Sequence, residues 1–221
     1  MKLIHASISE NNNNGLDGKS KIGDQTGKEV CIRSWYEKPW EYVLRYYDSN
    51  VAKKVVSVAT QLANSNYVGY SQKYRNSLYK ELEKCDFDVN KYIASKVFTE
   101  TDCSAFVYAV FSCFVPDMRS NSNAPTTNTM LKFFGKHGFE VLSEKDYTTG
   151  KKLITGDIVV KPKSHTAIVL KEEEIIIKKN LEVDYALTVL ARDVITGNWG
   201  NGEDRKDKLY RAVQDKVKEL L

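Results

Sequence analysis

The sequence holds only four cysteines, four prolines and three histidines in 221 residues, and nowhere a long uninterrupted run of apolar side chains. Each scarcity removes a class of protein. Cysteines at 31, 85, 103 and 113 are too sparse for a disulfide scaffold and lack the paired short spacings of a zinc site, so they read as free thiols, with no metal or cofactor expected. No stretch suits a transmembrane span, and the N-terminus turns polar after Met1-Lys2-Leu3-Ile4-His5, too soon for the central region of a signal peptide. The expected site of synthesis is a reducing cytoplasm. Net charge is scarce as well: 33 basic and 29 acidic side chains leave +4, which predicts no strong field for nucleic acid and no polybasic membrane patch.

What is present is an ordinary globular composition, 42% apolar and 28% charged, long enough for one full core plus a small extra module. Residues 11 to 28, with four consecutive asparagines and Gly15, Gly18, Gly23 and Gly27, favour loop over core. Asp48-Ser49-Asn50 offers caps to a helix whose Val51, Val55, Val58, Ala59 and Leu62 share one face, and Tyr74, Leu78, Leu82 and Cys85 form a second helical stripe. Residues 101 to 115 are almost continuously apolar after the capping pair Thr101-Asp102 and stop before Pro116, the pattern of a helix buried all round. Phe139 to Leu142 reads as a strand, and Asp157 to Val160 and Thr166 to Leu170 read as a hairpin turning at Lys161-Pro162-Lys163-Ser164. Helices first and strands later, without regular alternation, predict an α+β fold. Leu187, Leu190, Ala191 and Val194, then Val213, Val217, Leu220 and Leu221, return to helical spacing beyond a boundary near 172 to 181.

Cys103 stands directly after Asp102 at the expected start of the buried helix, where unpaired backbone N–H groups and the helix dipole favour a thiolate. It is the best nucleophile in the chain; the plainer alternative is a small buried hydrophobe, the reading that also suits Cys31, Cys85 and Cys113. A thiol nucleophile needs a base, and His165, at the head of an apolar strand directly after a turn, can project past a sheet edge toward a helix N-terminus packed on that sheet. His137, between Gly135 and Gly138, and His5 read as surface or structural, with His5 retaining a route into a cleft.

At these residues the sequence resembles known families. Thr101-Asp102-Cys103-Ser104-Ala105-Phe106-Val107 is similar to the Asp-Cys-Ser-x-Phe nucleophile motif of the NlpC-type papain-like cell-wall peptidases, and Gly156-Asp157 through His165-Thr166-Ala167-Ile168-Val169 to that family's base-bearing hairpin. Gly23-Asp24-Gln25-Thr26-Gly27 through Trp35-Tyr36 resembles the opening segment of some phage lysins. The resemblance implies a nucleophile helix packed on an antiparallel sheet, with Cys103 and His165 catalytic, Asp102 and Ser104 at the oxyanion end of the helix, and Tyr92 approximating an upstream tyrosine that positions substrate. The family's third polar residue, usually on the strand after the base, has no clean match; Asn180 is late, and Asp24, Gln25, His5 or a backbone carbonyl are the other candidates. Residues 182 to 221 resemble the Cpl-seven-type cell-wall-binding repeat, a three-helix module, with Trp199, Gly200, Asn201, Gly202 and Arg205 as the implied wall contacts and a shortened turn between Leu209 and Ala212. Without the family, Trp199 could equally pack the three helices together.

Both resemblances imply bacterial peptidoglycan as the partner and the layout of a phage endolysin, with a hydrolase over 1–174 and a wall-binding repeat over 182–221 that acts on the wall after release. The implied chemistry is Cys-His acyl transfer on an amide of the stem peptide, as an endopeptidase or an N-acetylmuramoyl-L-alanine amidase. A non-catalytic wall-binding protein, and a cysteine transferase or deamidase on the same fold, are the readings from other classes.

Overall fold

In chain order the strands and helices are β1 (Lys2–Ala6), β2 (Val30–Ser34), β3 (Tyr42–Tyr46), α1 (Ser49–Asn64), β4 (Val68–Tyr70), α2 (Ser77–Lys84), α3 (Val89–Ser95), β5 (Thr99–Thr101), α4 (Cys103–Ser112), α5 (Met130–Gly135), β6 (Phe139–Leu142), α6 (Lys145–Thr148), β7 (Ile158–Lys161), β8 (His165–Leu170) and α7 (Gly202–Leu220). This computed structural model describes residues 1–7, 29–65, 67–120, 123–171, 194 and 202–220. The chain divides into two compact units, Met1–Glu172 and Glu173–Leu221.

Six strands of the first unit form one antiparallel sheet in the order β2-β1-β8-β7-β3-β6, and β4 and β5 form a separate parallel pair. Strand side chains alternate between faces, so each strand supplies two sets of residues. Ile4, Leu44, Ile158, Ile168 and Leu170 meet Val55, Ala59 and Leu62 of α1 and Phe106, Ala109 and Val110 of α4 in the main core. Leu3, Val43, Val159, Ala167 and Val169 form a smaller cluster on the other face with Trp40, Leu142 and Leu153. The result is the expected α+β, papain-like arrangement of a buried helix, α4, against an antiparallel sheet.

α1 starts where the sequence predicts, with Asp48 accepting from the N–H groups of Asn50 and Val51 at 2.9 and 3.2 Å. The second helix is shorter than its stripe: α2 buries Leu78 and Leu82 but leaves Tyr74 outside, half exposed. Every residue of α4 is buried, as its unbroken apolar sequence requires. Its C-terminal carbonyls are capped by Arg119, whose Nε donates to Ser112 O at 2.8 Å and Nη2 to Cys113 O at 3.0 Å. Cys113 is therefore the C-cap rather than part of the helical face.

β7 and β8 form the expected hairpin, with Lys161 opposite His165. The Gly156-Asp157 pair before β7 has two physical tasks. Gly156 sits at φ +93° against α1, where a Cβ would come to 2.6 Å from the Ala52 Cβ, so only glycine fits. Asp157 is buried and accepts from Arg45 Nε at 2.8 Å, Arg45 Nη2 at 2.7 Å and the Ile154 N–H at 2.8 Å, which ties the turn to β3.

In the second unit α7 begins at Gly202, in left-handed conformation at φ +60°, followed by Glu203 and Asp204 at the dipole-favoured end. Arg205 is half-buried on this helix and Tyr210 is 67% exposed. Trp199, Gly200 and Asn201, and the first expected helix apart from Val194, lie outside the described residues. The short second helix and the turn expected between Leu209 and Ala212 are not separate: α7 runs unbroken through them, since residues 203–220 hold neither glycine nor proline to stop it. Among the described residues no helix is long and apolar enough to cross a membrane.

Candidate active site

α4 begins at Asp102, an extended residue whose Oδ1 accepts from the Ala105 N–H at 2.8 Å and the Ser104 hydroxyl at 3.1 Å. Arg75 locks this cap from outside. Its Nε donates to Asp102 Oδ2 at 2.5 Å and its Nη2 to Asp102 Oδ1 and Ser104 Oγ at 3.2 and 2.9 Å, while the backbone oxygens of Ala124 and Pro125 accept at 2.7 and 3.0 Å. The carboxylate is thus fully occupied as a helix cap and an ion pair. Asp102 and Ser104 hold the helix start in place.

Cys103, the next residue, is 8% exposed, and its Sγ faces the backbone N–H groups of Thr166 and Ser104. Burial pushes the thiol up to about 12, with the Asp102 charge adding to the rise and the two N–H groups and Arg75 offsetting part of it. The sequence argument expected a thiolate stabilised by the helix start. In the structure desolvation outweighs that help, and the resting group is a thiol.

His165 opens β8, one residue before the Thr166 N–H that meets Cys103 Sγ. Its Nε2 lies 2.9 Å from Nδ1 of His5, and its ring stacks on Trp40 with centroids 6.1 Å apart. The Tyr36 hydroxyl lies 3.0 Å from the same Nδ1 of His5. The pairing of β1 with β8, Ile4 opposite Ile168, brings the two histidines together. Of the readings open for His5, surface, structural or in a cleft, burial removes the first: it is 1% exposed, inside a strand whose inner residues are all buried, and it lines a cavity. Burial lowers His165 to about 3, assisted by His5, Lys38 and Arg33, and lowers His5 to about 4, assisted by Arg33 and Lys38. Both imidazoles are neutral over the physiological range.

The histidines open onto a cavity of about 450 Å³ whose wall includes Tyr36, Tyr70 and Gln72. Burial raises the hydroxyls of both Tyr36 and Tyr70, partly offset by Arg33 at the first and by the Gln72 hydrogen bond at the second, and an ionised Cys103 would raise both further. Tyr70 is fixed by its backbone N–H, which donates to the buried Glu29 carboxylate. Imidazoles and tyrosines thus line one opening, with Cys103 next to it through the Thr166 N–H that follows His165.

Tyr92 is not among them. It is fully buried, its hydroxyl bonded to Thr99 Oγ1 at 2.7 Å and Tyr67 O at 3.1 Å, because α3 packs it under the β4–β5 pair as a core residue. Asp24, Gln25 and Asn180 lie outside the described residues. His137 is structural, its Nδ1 at 2.8 Å from Phe133 O. Cys31 is buried in β2, opposite His5 in the β1–β2 pair, and Cys85 caps α2. Sequence reasoning gave no role to Tyr36, Trp40, Tyr70 or Arg75; Trp35-Tyr36 stood inside a quoted lysin-like segment, whereas nothing local marks Arg75. Among the described residues no cluster of His, Cys, Asp or Glu could hold a metal ion.

Residues 3–175 match the Endolysin-like domain and residues 189–221 match the CW_7 repeat. No curated protein and no solved structure matches the chain. The first match spans most of the chain and contains the whole of the Cys103 site, and the second supports cell-wall binding at the C-terminus. The chain accordingly belongs to the Endolysin-like domain family and is a peptidoglycan-targeting endolysin with a C-terminal cell-wall-binding repeat.

Proposed function

We propose that this endolysin is a cysteine hydrolase of the NlpC type that cuts an amide bond within the stem peptide of peptidoglycan. The observation that carries this reading is the 2.9 Å contact of His165 Nε2 with His5 Nδ1 at the head of β8, beside the helix start that bears Cys103. In the productive tautomer His165 carries its proton on Nε2 and donates it to His5, which leaves Nδ1 as the basic nitrogen. His5 thereby supplies the orienting group, and supplies it from β1 rather than from the strand after the base.

The resting pair is neutral, thiol and imidazole. As the substrate carbonyl arrives, His165 Nδ1 takes the Cys103 proton while Sγ forms the bond to the carbonyl carbon. The Cys103 backbone N–H at the start of α4 donates to the developing oxyanion. The imidazolium returns its proton to the departing amine, and the C–N bond breaks to leave a thioester. Water, deprotonated by His165, then cleaves the thioester and restores the thiol. Asp102 takes no part in proton transfer, since Arg75 and the helix cap occupy it. The C-terminal repeat raises the local concentration of the hydrolase at an insoluble polymer, with Trp199, Gly200, Asn201, Gly202 and Arg205 as the proposed contacts.

Digestion of purified peptidoglycan by the wild type and by Cys103→Ala tests the reading. New amino termini inside the stem peptide, absent with the variant, are the expected products. Intact stems beginning with L-alanine would instead identify an amidase, and equal activity of the two proteins would remove Cys103 from catalysis.

A further inference from the structure

The cavity beside the two histidines carries charge of one sign. Arg33 from β2, Lys38 from the loop before β3 and Lys163 from the β7–β8 turn all line it, and no carboxylate is among its described lining residues. None of the three cations forms an ion pair among the described residues; Arg33 lies over the Tyr36 ring at 5.5 Å and Lys163 holds the turn at φ +60°. The remaining polar groups, Ser7, Gln72 and Ser164, supply further hydrogen-bond donors around the same opening. The chain as a whole carries nearly balanced charge, so this local excess is not a consequence of composition.

Three cations with no ion-pair partner among the described residues line one small polar cavity and repel one another, and an anion relieves that repulsion. The reach of the field is visible at the histidines, where Arg33 and Lys38 help hold both imidazoles neutral. We infer that this cavity is a carboxylate subsite, so that the enzyme selects stem peptides bearing a free α-carboxylate next to the scissile bond over those in which that carboxylate is amidated. This rests on the peptidoglycan-hydrolase reading above and adds the substrate's charge state to it. Seating the carboxylate also cancels part of the field at His165, which raises its basicity in the complex at the point where a proton must be taken.

The test compares two synthetic stem peptides that differ at one group, a free α-carboxylate or a carboxamide on the D-glutamyl residue. Wild type is expected to favour the carboxylate about 10- to 100-fold in kcat/KM, mostly through KM, with the preference shrinking at high salt. The triple variant Arg33→Gln, Lys38→Gln, Lys163→Gln loses the preference, its rate on the carboxylate peptide falling toward that on the carboxamide. Lys163→Gln alone, at an exposed turn, gives a partial loss and guards against a misfolded triple variant. Equal kcat/KM for the two peptides in wild type, or a preference that survives in the variants, overturns the inference and leaves the hydrolase reading standing. If neither peptide is cut, calorimetry with the same pair decides. Carboxylate-selective binding that weakens in Lys163→Gln supports the subsite even without hydrolysis, and equal or absent binding overturns it.

Discussion

Two polar clusters flank Cys103, and they are built on opposite terms. On one side Arg75 makes five hydrogen bonds to Asp102, Ser104 and the 124–125 backbone, and the Asp102 carboxylate is filled by the cap and the guanidinium. On the other side His5 Nε2 and Trp40 Nε1 are buried without a partner among the described residues, and His165 meets a cavity. A saturated buried network fixes a geometry, whereas groups left short of partners keep free capacity to act. The first cluster is architecture for the helix start. The second is where the proposed reaction would handle substrate and protons.

The difference predicts opposite losses. His165→Gln is expected to lower kcat/KM by about 10³-fold or more while leaving the thermal midpoint unchanged within a few degrees, read by peptide hydrolysis and by melting of the same sample. Asp102→Ala does the reverse in kind: it removes the cap and leaves the Arg75 guanidinium largely buried without its carboxylate, a loss of about 3 kcal/mol in urea unfolding. An Asp102→Ala protein as stable as wild type would erase the distinction between the two sides.

His5 is the sharper case, because its proposed role is exerted through His165. His5→Phe keeps the ring volume in β1 but cannot accept from His165 Nε2. The expected result is a fall in kcat of about 10- to 100-fold with KM unchanged, and partial recovery in His5→Asn, whose side-chain oxygen can still accept. A purely structural role would move the melting temperature and not the kcat to KM split.

The pH response belongs to the same side of the molecule. His165 and His5 bind protons only near pH 3 and 4 when folded but near 6.5 when unfolded, so between those limits the unfolded chain holds more protons. Stability is therefore full above about 6.5 and declines as the pH falls toward the folded values. Cys103 works in the other direction: folded it holds its proton to about 12, against 9.0 for a free thiol, so its contribution is lost as the pH rises above 9. Alkylation of Cys103 by iodoacetamide, followed by mass spectrometry, is expected to be slow at pH 7 and to accelerate through the alkaline range. Rapid modification at pH 7 would mean that a thiolate exists at rest.

Local patterns mark α1, α2, α4 and the last hairpin, while the short helices α3, α5 and α6, of seven residues or fewer, carry too few turns to show a periodic face. Asp48 before a valine-rich face, the unbroken apolar run after Asp102 and the turn at Lys161–Ser164 each declare their element within a dozen residues. β1 and β3 were silent because their alternation is masked by His5 and by Arg45, polar residues that sit in strands only because a distant partner, His165 or Asp157, receives them. The same reason hid half of the site. Cys103 and His165 announce themselves by position at a helix start and a strand start, but Arg75 reaches Asp102 across 27 residues and His5 reaches His165 across 160, separations no local spacing encodes. Tyr92 misled for the converse reason: its spacing from the cysteine suited a site residue, and the α3 packing put it in the core.

Trp40 offers the smallest effect and the finest discrimination. Its ring stacks on His165, and its indole Nε1 is buried with no acceptor among the described residues. An unpaired buried donor is destabilising, so its removal returns part of what the smaller ring loses in packing. Trp40→Phe is therefore expected to change unfolding free energy by about 1 kcal/mol or less and kcat by under about threefold, where an ordinary large-to-small change at a 5% exposed tryptophan would do more. The two contributions separate by temperature and by substrate. A loss well above 1 kcal/mol would mean that the indole N–H has a partner in solution, and the unsatisfied side of the site would then be as well bonded as the Arg75 side. A large fall in kcat with stability intact would instead show that the full indole face is what holds the His165 ring toward Cys103.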